Sequence, residues 1–462
     1  MEQDLLLLDS MEAGLAKASM RGEGYARIAV YLGLEGPAVE REGMEACLSA
    51  LQARHPYLRR TVVRTPLGLA LRPLLGPLPI VEHELSSPLQ IETLWRSIEA
   101  RALRAGDALV RVHLLRFPED PARTGLIVEG EHVIADGASM IALACELVEQ
   151  LSVHATTGAP RNMPPLGLSA SVNARCATEV GGHGEALKRT GQRMLATVPR
   201  LIKQYPTTLA RDTSRGISQC YTHAVRVTLS RHETEALYQA AKAEGASLST
   251  VFGAAISLGI GARVFPEASE PQEQRYFRLS YSVSLRHRYA HPIGNHELGA
   301  HVSGVDPSIG VWPASWQGQE PSALWETARK LKAGLAEEMA PGVDGHWLLN
   351  FVAGHAMALS AHIPQVNLFC SLVLTDCGRF TVPNRIGAYA LEELRPLVNG
   401  RGFSYPYMAV TPTPKGGLTL SLFAPVPALR AEDLEAVLQD AAARIREALR
   451  ARKQAAASSA AA

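Results

Sequence analysis

Apolar and polar positions along this chain alternate with two different periods, and the switching between them predicts a mixed α/β protein. Strand-type blocks run from Ala26 to Leu32, from Arg60 to Arg64 and from Gly125 to Val128, the last a continuous apolar run of the kind a buried strand carries. From Ala108 to Leu115 apolar and polar residues alternate, which predicts a strand with one face exposed. Helical spacing marks Met44 to Ala53. It returns from Ser139 to Leu151, where Met140, Ile141, Leu143, Leu147, Val148 and Leu151 form one stripe.

The same patterns resume near Gln219, with a helix over Glu233 to Ala243 and a strand over Tyr407 to Val410. The run from Val251 to Val264 is apolar all round but too short to cross a bilayer, so it reads as a buried helix. An amphipathic helix covers Ala431 to Arg452. Between the two patterned regions, His154 to Ser218 is rich in Gly, Pro, Thr, Arg and Lys, with a weakly helical stretch from Glu185 to Leu201. The expected organisation is a first half over 1–155, a connection over 156–218, a second half over 219–452 and a disordered small-residue tail over 453–462.

Composition narrows the class. With 462 residues and 47% hydrophobic content the chain can fill two cores of ordinary size. A formal charge of +1 gives no electrostatic case for nucleic acid or an anionic membrane. Cys47, Cys145, Cys176, Cys220, Cys370 and Cys377 lack metal-binding or redox spacing and read as reduced, mostly buried thiols. Leu5 to Leu8 is too short for a secretory core and follows Glu2 and Asp4 rather than basic residues, so a cytoplasmic protein without a membrane span is expected. No phosphate-cradling glycine motif is present. His291, His296 and His301 recur every five residues across Pro292 and Gly294, which is not the spacing of a helical metal pair, and no metal is expected.

The chemistry concentrates in Glu131-His132-Val133-Ile134-Ala135-Asp136-Gly137, between the apolar strand and the helical stripe. A strand-to-helix turn can hold an imidazole at the edge of a cleft, where its near-neutral pKa suits it to take a proton from a hydroxyl or amine. Asp136 is expected to fix the turn by pairing with a cation or with backbone donors, and Gly137 to allow a conformation that a Cβ would hinder. Tyr405 and Tyr407, beside Pro406, read either as an aromatic-packed loop or as a wall of an acceptor pocket.

This segment resembles the HxxxDG signature of the superfamily that includes chloramphenicol acetyltransferase, nonribosomal peptide condensation domains and the polyketide-associated and alcohol acyltransferases. Four other stretches are similar to that superfamily in order and approximate spacing. They are the helix leading into Arg54-His55-Pro56-Tyr57-Leu58-Arg59, the paired helices from Leu229 to Ala255, Ser282-Val283-Ser284-Leu285-Arg286 followed by Ile293-Gly294-Asn295, and Leu374-Thr375-Asp376-Cys377-Gly378-Arg379. Glu131 stands where condensation domains usually carry a second histidine, and Cys377 and Arg379 replace aromatic residues. Both departures tell against strict peptide-bond condensation and are tolerable for an O-acyltransferase or ester-forming relative.

The resemblance implies an α/β fold of two similar halves, each a mixed sheet with helices, forming a V with a central substrate tunnel. It implies an acyltransferase without a permanently bound cofactor, whose co-substrate is acyl-CoA or a phosphopantetheinyl carrier protein and whose acceptor is a small-molecule hydroxyl or amine of a specialised metabolite. His132 would be the general base, and Asp136 would pair with Arg286. Gly137, Asp376 and Gly378 would support the loops, and Ser371, Thr375 or Tyr405 could supply an oxyanion donor or pocket wall. The alternatives are a stand-alone condensation enzyme fed by an acyl or peptidyl carrier protein, and an inactive binding homologue.

Overall fold

The computed structural model describes residues 4–21, 26–179, 203–212, 214–266, 273–318, 320–339, 370–377, 382–402 and 405–461, with 181, 182, 184, 185 and 188 between them. The first region contributes β1 (Leu6–Leu7), α1 (Ser10–Arg21), β2 (Arg27–Glu35), α2 (Arg41–Arg54), β3 (Arg60–Thr65), β4 (Gly68–Pro73) and β5 (Ile80–Glu84). It continues through α3 (Ile91–Glu99), β6 (Val110–Arg116), β7 (Arg123–Glu131), α4 (Gly137–Thr157) and α5 (Val172–Glu179). The second contributes β8 (Tyr221–Leu229), α6 (Arg231–Ala243), α7 (Leu248–Val264), β9 (Arg275–Ser284), β10 (Val302–Val305), β11 (Ser308–Val311), α8 (Ala314–Gln317) and α9 (Pro321–Met339). It ends with β12 (Leu372–Asp376), β13 (Arg385–Ile386), β14 (Tyr389–Val398), β15 (Tyr407–Pro412), β16 (Leu418–Val426) and α10 (Ala431–Ala461).

Two mixed sheets carry the molecule. The first has the order β13-β14-β2-β7-β6-β5, and the second β10-β9-β12-β15-β16-β8, with β11 also on β9. Strand β14 leaves the second half of the chain and pairs antiparallel with β2, from Ala390 opposite Glu35 to Val398 opposite Ile28. The two halves therefore share a sheet. In the second half α7 is buried on all sides, as its uniform apolarity requires, between its sheet and helices α9 and α10. Gly259 and Gly261 permit that packing: a Cβ would lie 2.9 Å from the Val437 carbonyl at the first and 2.7 Å from the Trp316 ring at the second.

Several elements differ from the sequence reading. Strand β6 is buried on nearly its whole length, because its polar alternates Arg111 and His113 meet buried Glu129 on β7. Helix α10 continues to Ala461, past the expected tail boundary, since an Ala-rich run has the highest intrinsic helix propensity. Helix α5 lies in a stretch read as irregular, and the weakly helical stretch from 185 to 201 falls almost wholly outside the described residues. Among the described residues no single helix is long and apolar enough to cross a membrane.

Candidate active site

Strand β7 delivers His132 to a tight turn. The His132 amide donates to the Ala26 carbonyl at 2.9 Å, and the Ile134 amide to the Glu131 carbonyl at 3.1 Å. Asp136 then caps α4: its Oδ1 accepts from the Ser139 amide at 2.9 Å, while the Asp136 amide donates to Ser139 Oγ at 3.0 Å. This reciprocal capping box satisfies two of the donors a helix start leaves open. Gly137 has no left-handed backbone, and a Cβ there would meet only Cys377 Sγ at 3.7 Å. The expected conformational need is thus absent, and the missing side chain leaves open space instead.

The other carboxylate oxygen of Asp136 faces the second half of the chain. Arg286 Nε and Nη2 donate to Asp136 Oδ2 at 3.1 and 3.0 Å, and the His301 amide donates to the same oxygen at 3.1 Å. The remaining guanidinium hydrogens go to the carbonyls of Gly294, Glu297 and Gly299 at 2.7, 2.8 and 3.1 Å. Both partners are buried, at 0% and 7% side-chain exposure. A desolvated pair of this kind is stable only when its hydrogen bonds are filled, and here they are. The pair pins the turn bearing His132 to the end of β9.

Glu131, at the departure position, is also consumed structurally. Its carboxylate accepts from Arg27 Nε and Nη2 at 3.1 and 2.8 Å and from Ser19 Oγ at 2.5 Å. It ties β2 and α1 to β7 behind the histidine, with both charges buried. No proton-transfer role is left for it.

His132 opens onto a cavity of about 270 Å3 between the halves. Met11 and Leu15 of α1, Met140 and Ile141 of α4, and Leu394 and Leu397 of β14 give one side an apolar lining. The His132 Nδ1 is fully buried, so Nε2 is the nitrogen left to face the cavity. Burial pushes the imidazole pKa below its ordinary value, an effect the nearby Asp136 charge only partly offsets. The ring is therefore neutral at pH 7, the form a base requires.

The facing wall comes from the second sheet and follows strand alternation. Val373, Thr375 and Cys377 point into the cavity from β12 and the residue after it, and Tyr405, Tyr407, Ala409 and Thr411 do so along β15 and its approach. Ser282 of β9 joins them. Asp376, on the opposite face of β12, lines a separate crevice beside α6 and α7 rather than the cavity. Gly378 and Arg379 lie outside the described residues. Ser371 is fully buried and pairs with Arg278, where its Oγ accepts the Arg278 amide at 3.2 Å, so it is removed as an oxyanion candidate. The Cys377 thiol is pushed up to about 12 by burial and is not a nucleophile. Sequence reasoning missed Arg27, Met140 and Ser282 on this surface. The spacing of 373, 375 and 377 was the available signal, but it marks a wall only once the facing wall is known.

No known family's sequence model matches the chain, and no curated protein does either. Solved structures match over nearly its whole length. Trichothecene 15-O-acetyltransferase from Fusarium sporotrichioides superposes with a TM-score of 0.72 at 15% identity, covering 96% of this chain and 95% of that one. The first condensation domain of the calcium-dependent antibiotic synthetase gives 0.70 at 16% identity, covering 97% of each chain. The chain has the condensation-domain fold. Polyketide synthase associated protein 5 from Mycobacterium tuberculosis shares this fold at a TM-score of 0.65 and 17% identity, covering 94% of this chain and 96% of that one. In condensation-domain terms, the two-lobed α/β architecture expected from the motif stretches is the one observed.

Proposed function

We propose that the protein is an acyltransferase that moves an acyl group from a phosphopantetheine thioester, acyl-CoA or acyl-carrier protein, to a hydroxyl or amine of a small molecule. The observation that carries this reading is a neutral imidazole on the wall of a mostly apolar cavity, on a turn pinned across the two halves by Asp136 and Arg286. His132 Nε2 takes the acceptor's proton as its oxygen or nitrogen attacks the thioester carbonyl, the carbon–sulfur bond breaks, and the proton passes to the leaving thiolate. No covalent enzyme intermediate is required. General-base assistance contributes about 10²- to 10⁴-fold, so holding both substrates in line supplies much of the rest.

The fold supports the reading because it is shared with an O-acetyltransferase and with a mutant starter condensation domain of rhizomide synthetase in complex with C8-CoA. Glu131, held by Arg27 in place of a second histidine, favours ester or amide formation on a small acceptor over peptide-bond condensation. The test is mass-spectrometric detection of product from a panel of acyl-CoA and acyl-carrier donors with mixed alcohols and amines. Transfer from at least one donor is expected. Binding of thioesters with neither transfer nor hydrolysis would instead indicate a binding module.

A further inference from the structure

Between Glu45 and Glu82 the chain carries five arginines and no carboxylate, a local excess that the overall charge of +1 conceals. Arg54 is spent on Glu146 at 2.6 Å. The other four, Arg59, Arg60, Arg64 and Arg72, lie on or beside the small sheet of β1, β4 and β3 and form no ion pair among the described residues. Arg60 donates to the backbone carbonyl of Asp4 at 2.6 Å, and Asp4 is the one acid in the crevice that Arg59 and Arg60 line.

The same sheet exposes leucine. Leu67, in the turn between β3 and β4, is 82% exposed, and Leu75, just after β4, is 92% exposed. Gly68 and Gly76 beside them have left-handed backbones, with φ of +130° and +112°, and a Cβ on either would meet nothing within 4 Å. Both turns therefore stand clear of the molecule. Between them β1 lays Leu7, itself 57% exposed, opposite Ala70, which has Val63 as its partner on the other side. Cross-strand partners share a face, and Arg72, two residues from Ala70, joins it. At about 3.4 Å per residue along β4, the two terminal leucines are roughly 25 Å apart with the third between them.

Exposed leucines ringed by unpaired arginines mark an interaction surface. Protein partners are gripped mainly by Trp, Tyr and Arg in well-packed pockets, with Leu under-represented. Here the leucines project from turns, and the nearby Tyr57 is buried. A lipid interface asks for this other combination, leucine for the acyl-chain boundary and guanidinium for headgroup phosphate. We infer that the β1-β4-β3 sheet docks the protein on an anionic lipid surface, with Leu7, Leu67 and Leu75 entering the acyl-chain boundary and Arg59, Arg64 and Arg72 meeting headgroup phosphates. Helix α1 begins three residues after Leu7 and carries Met11 and Leu15 to the wall of the cavity. Docking through β1 would bring that wall close to the lipid.

The test is sedimentation of the full chain with vesicles of phosphatidylcholine alone and of phosphatidylcholine mixed with phosphatidylglycerol, and it needs no turnover. Binding to the mixed vesicles is expected, much weaker binding to phosphatidylcholine alone, and a decline as salt is raised. The Leu67→Ser, Leu75→Ser double variant should bind about 10²-fold more weakly, at about tenfold per leucine. Arg64→Gln and Arg72→Gln should each cost about fivefold on the mixed vesicles and little on the neutral ones. All four side chains are exposed, so the thermal midpoint should stay at the wild-type value. No binding to mixed vesicles, equal binding to both kinds, or binding that survives the leucine and arginine changes overturns the inference. So does capture of an acidic acyl-carrier protein that these changes abolish, with no binding to vesicles, since the surface would then belong to a protein partner.

Discussion

At the scale of single residues, the sequence carried the motif but not the division of labour within it. His132, Asp136 and Arg286 were legible because their types and spacing have a chemical purpose, and the structure brings Asp136 and Arg286 into a fully satisfied buried pair. The use of Glu131 was not legible, since its partners Arg27 and Ser19 are 104 and 112 residues away. The buried environment of His132 has a consequence in solution. Because its pKa is lowered, the neutral imidazole, the form the proposed base needs, persists below the pH at which an ordinary imidazole protonates. The acidic limb of the kcat/KM profile should therefore fall below pH 6.5, the ordinary imidazole value. A limb at or above that value would mean that the titrating base is another group or that the ring is more hydrated than its burial implies.

At the scale of elements, periodicity located most strands and helices. Strands β2, β7 and β15 and helices α2, α4, α6 and α7 all lie where the apolar pattern places them. It failed where a polar residue was buried by a partner distant in sequence, as on β6, and where an Ala-rich run had no core to reveal it, as at the end of α10. The crossing of β14 was illegible for a different reason: backbone pairing leaves no side-chain signature of which strand is the partner. One junction between elements is expected to respond to pH. Glu99, at the end of α3, accepts the Thr222 amide at 2.9 Å and the Thr222 hydroxyl, while Thr222 Oγ1 accepts the Gly400 amide at 2.8 Å. Burial pushes the Glu99 carboxyl up to about 7, from 4.5. A folded pKa above the unfolded one means that stability is full below 4.5 and declines as pH rises through the folded value, here by roughly 3 kcal/mol. Glu99→Gln removes that slope. Its thermal midpoint relative to wild type should be higher at pH 8 than at pH 5, and any fixed cost of the amide cancels in the comparison. An equal difference at both pH values would place the Glu99 pKa near that of a solvated carboxyl.

At the scale of the whole molecule, β14 makes the first sheet depend on the second half of the chain, and the Asp136–Arg286 pair makes the turn bearing His132 depend on it too. Residues 1–218 expressed alone would leave β2 as an open edge and Asp136 buried without its cation. The fragment should be insoluble or show no cooperative unfolding, whereas the full chain should unfold in a single calorimetric transition. Two well-separated transitions in the full chain would show that the halves are energetically independent despite the shared sheet. Cooperation between halves is also what the proposed chemistry needs, because His132 and the facing wall of its cavity come from different halves of the chain. The most direct test of that claim is the rate of acyl transfer by His132→Ala, compared with wild type on whichever thioester the wild type uses, with circular dichroism confirming that the variant is folded. The account predicts a loss of about 10²- to 10⁴-fold with thioester binding retained. A folded variant that transfers the acyl group at the wild-type rate would contradict it.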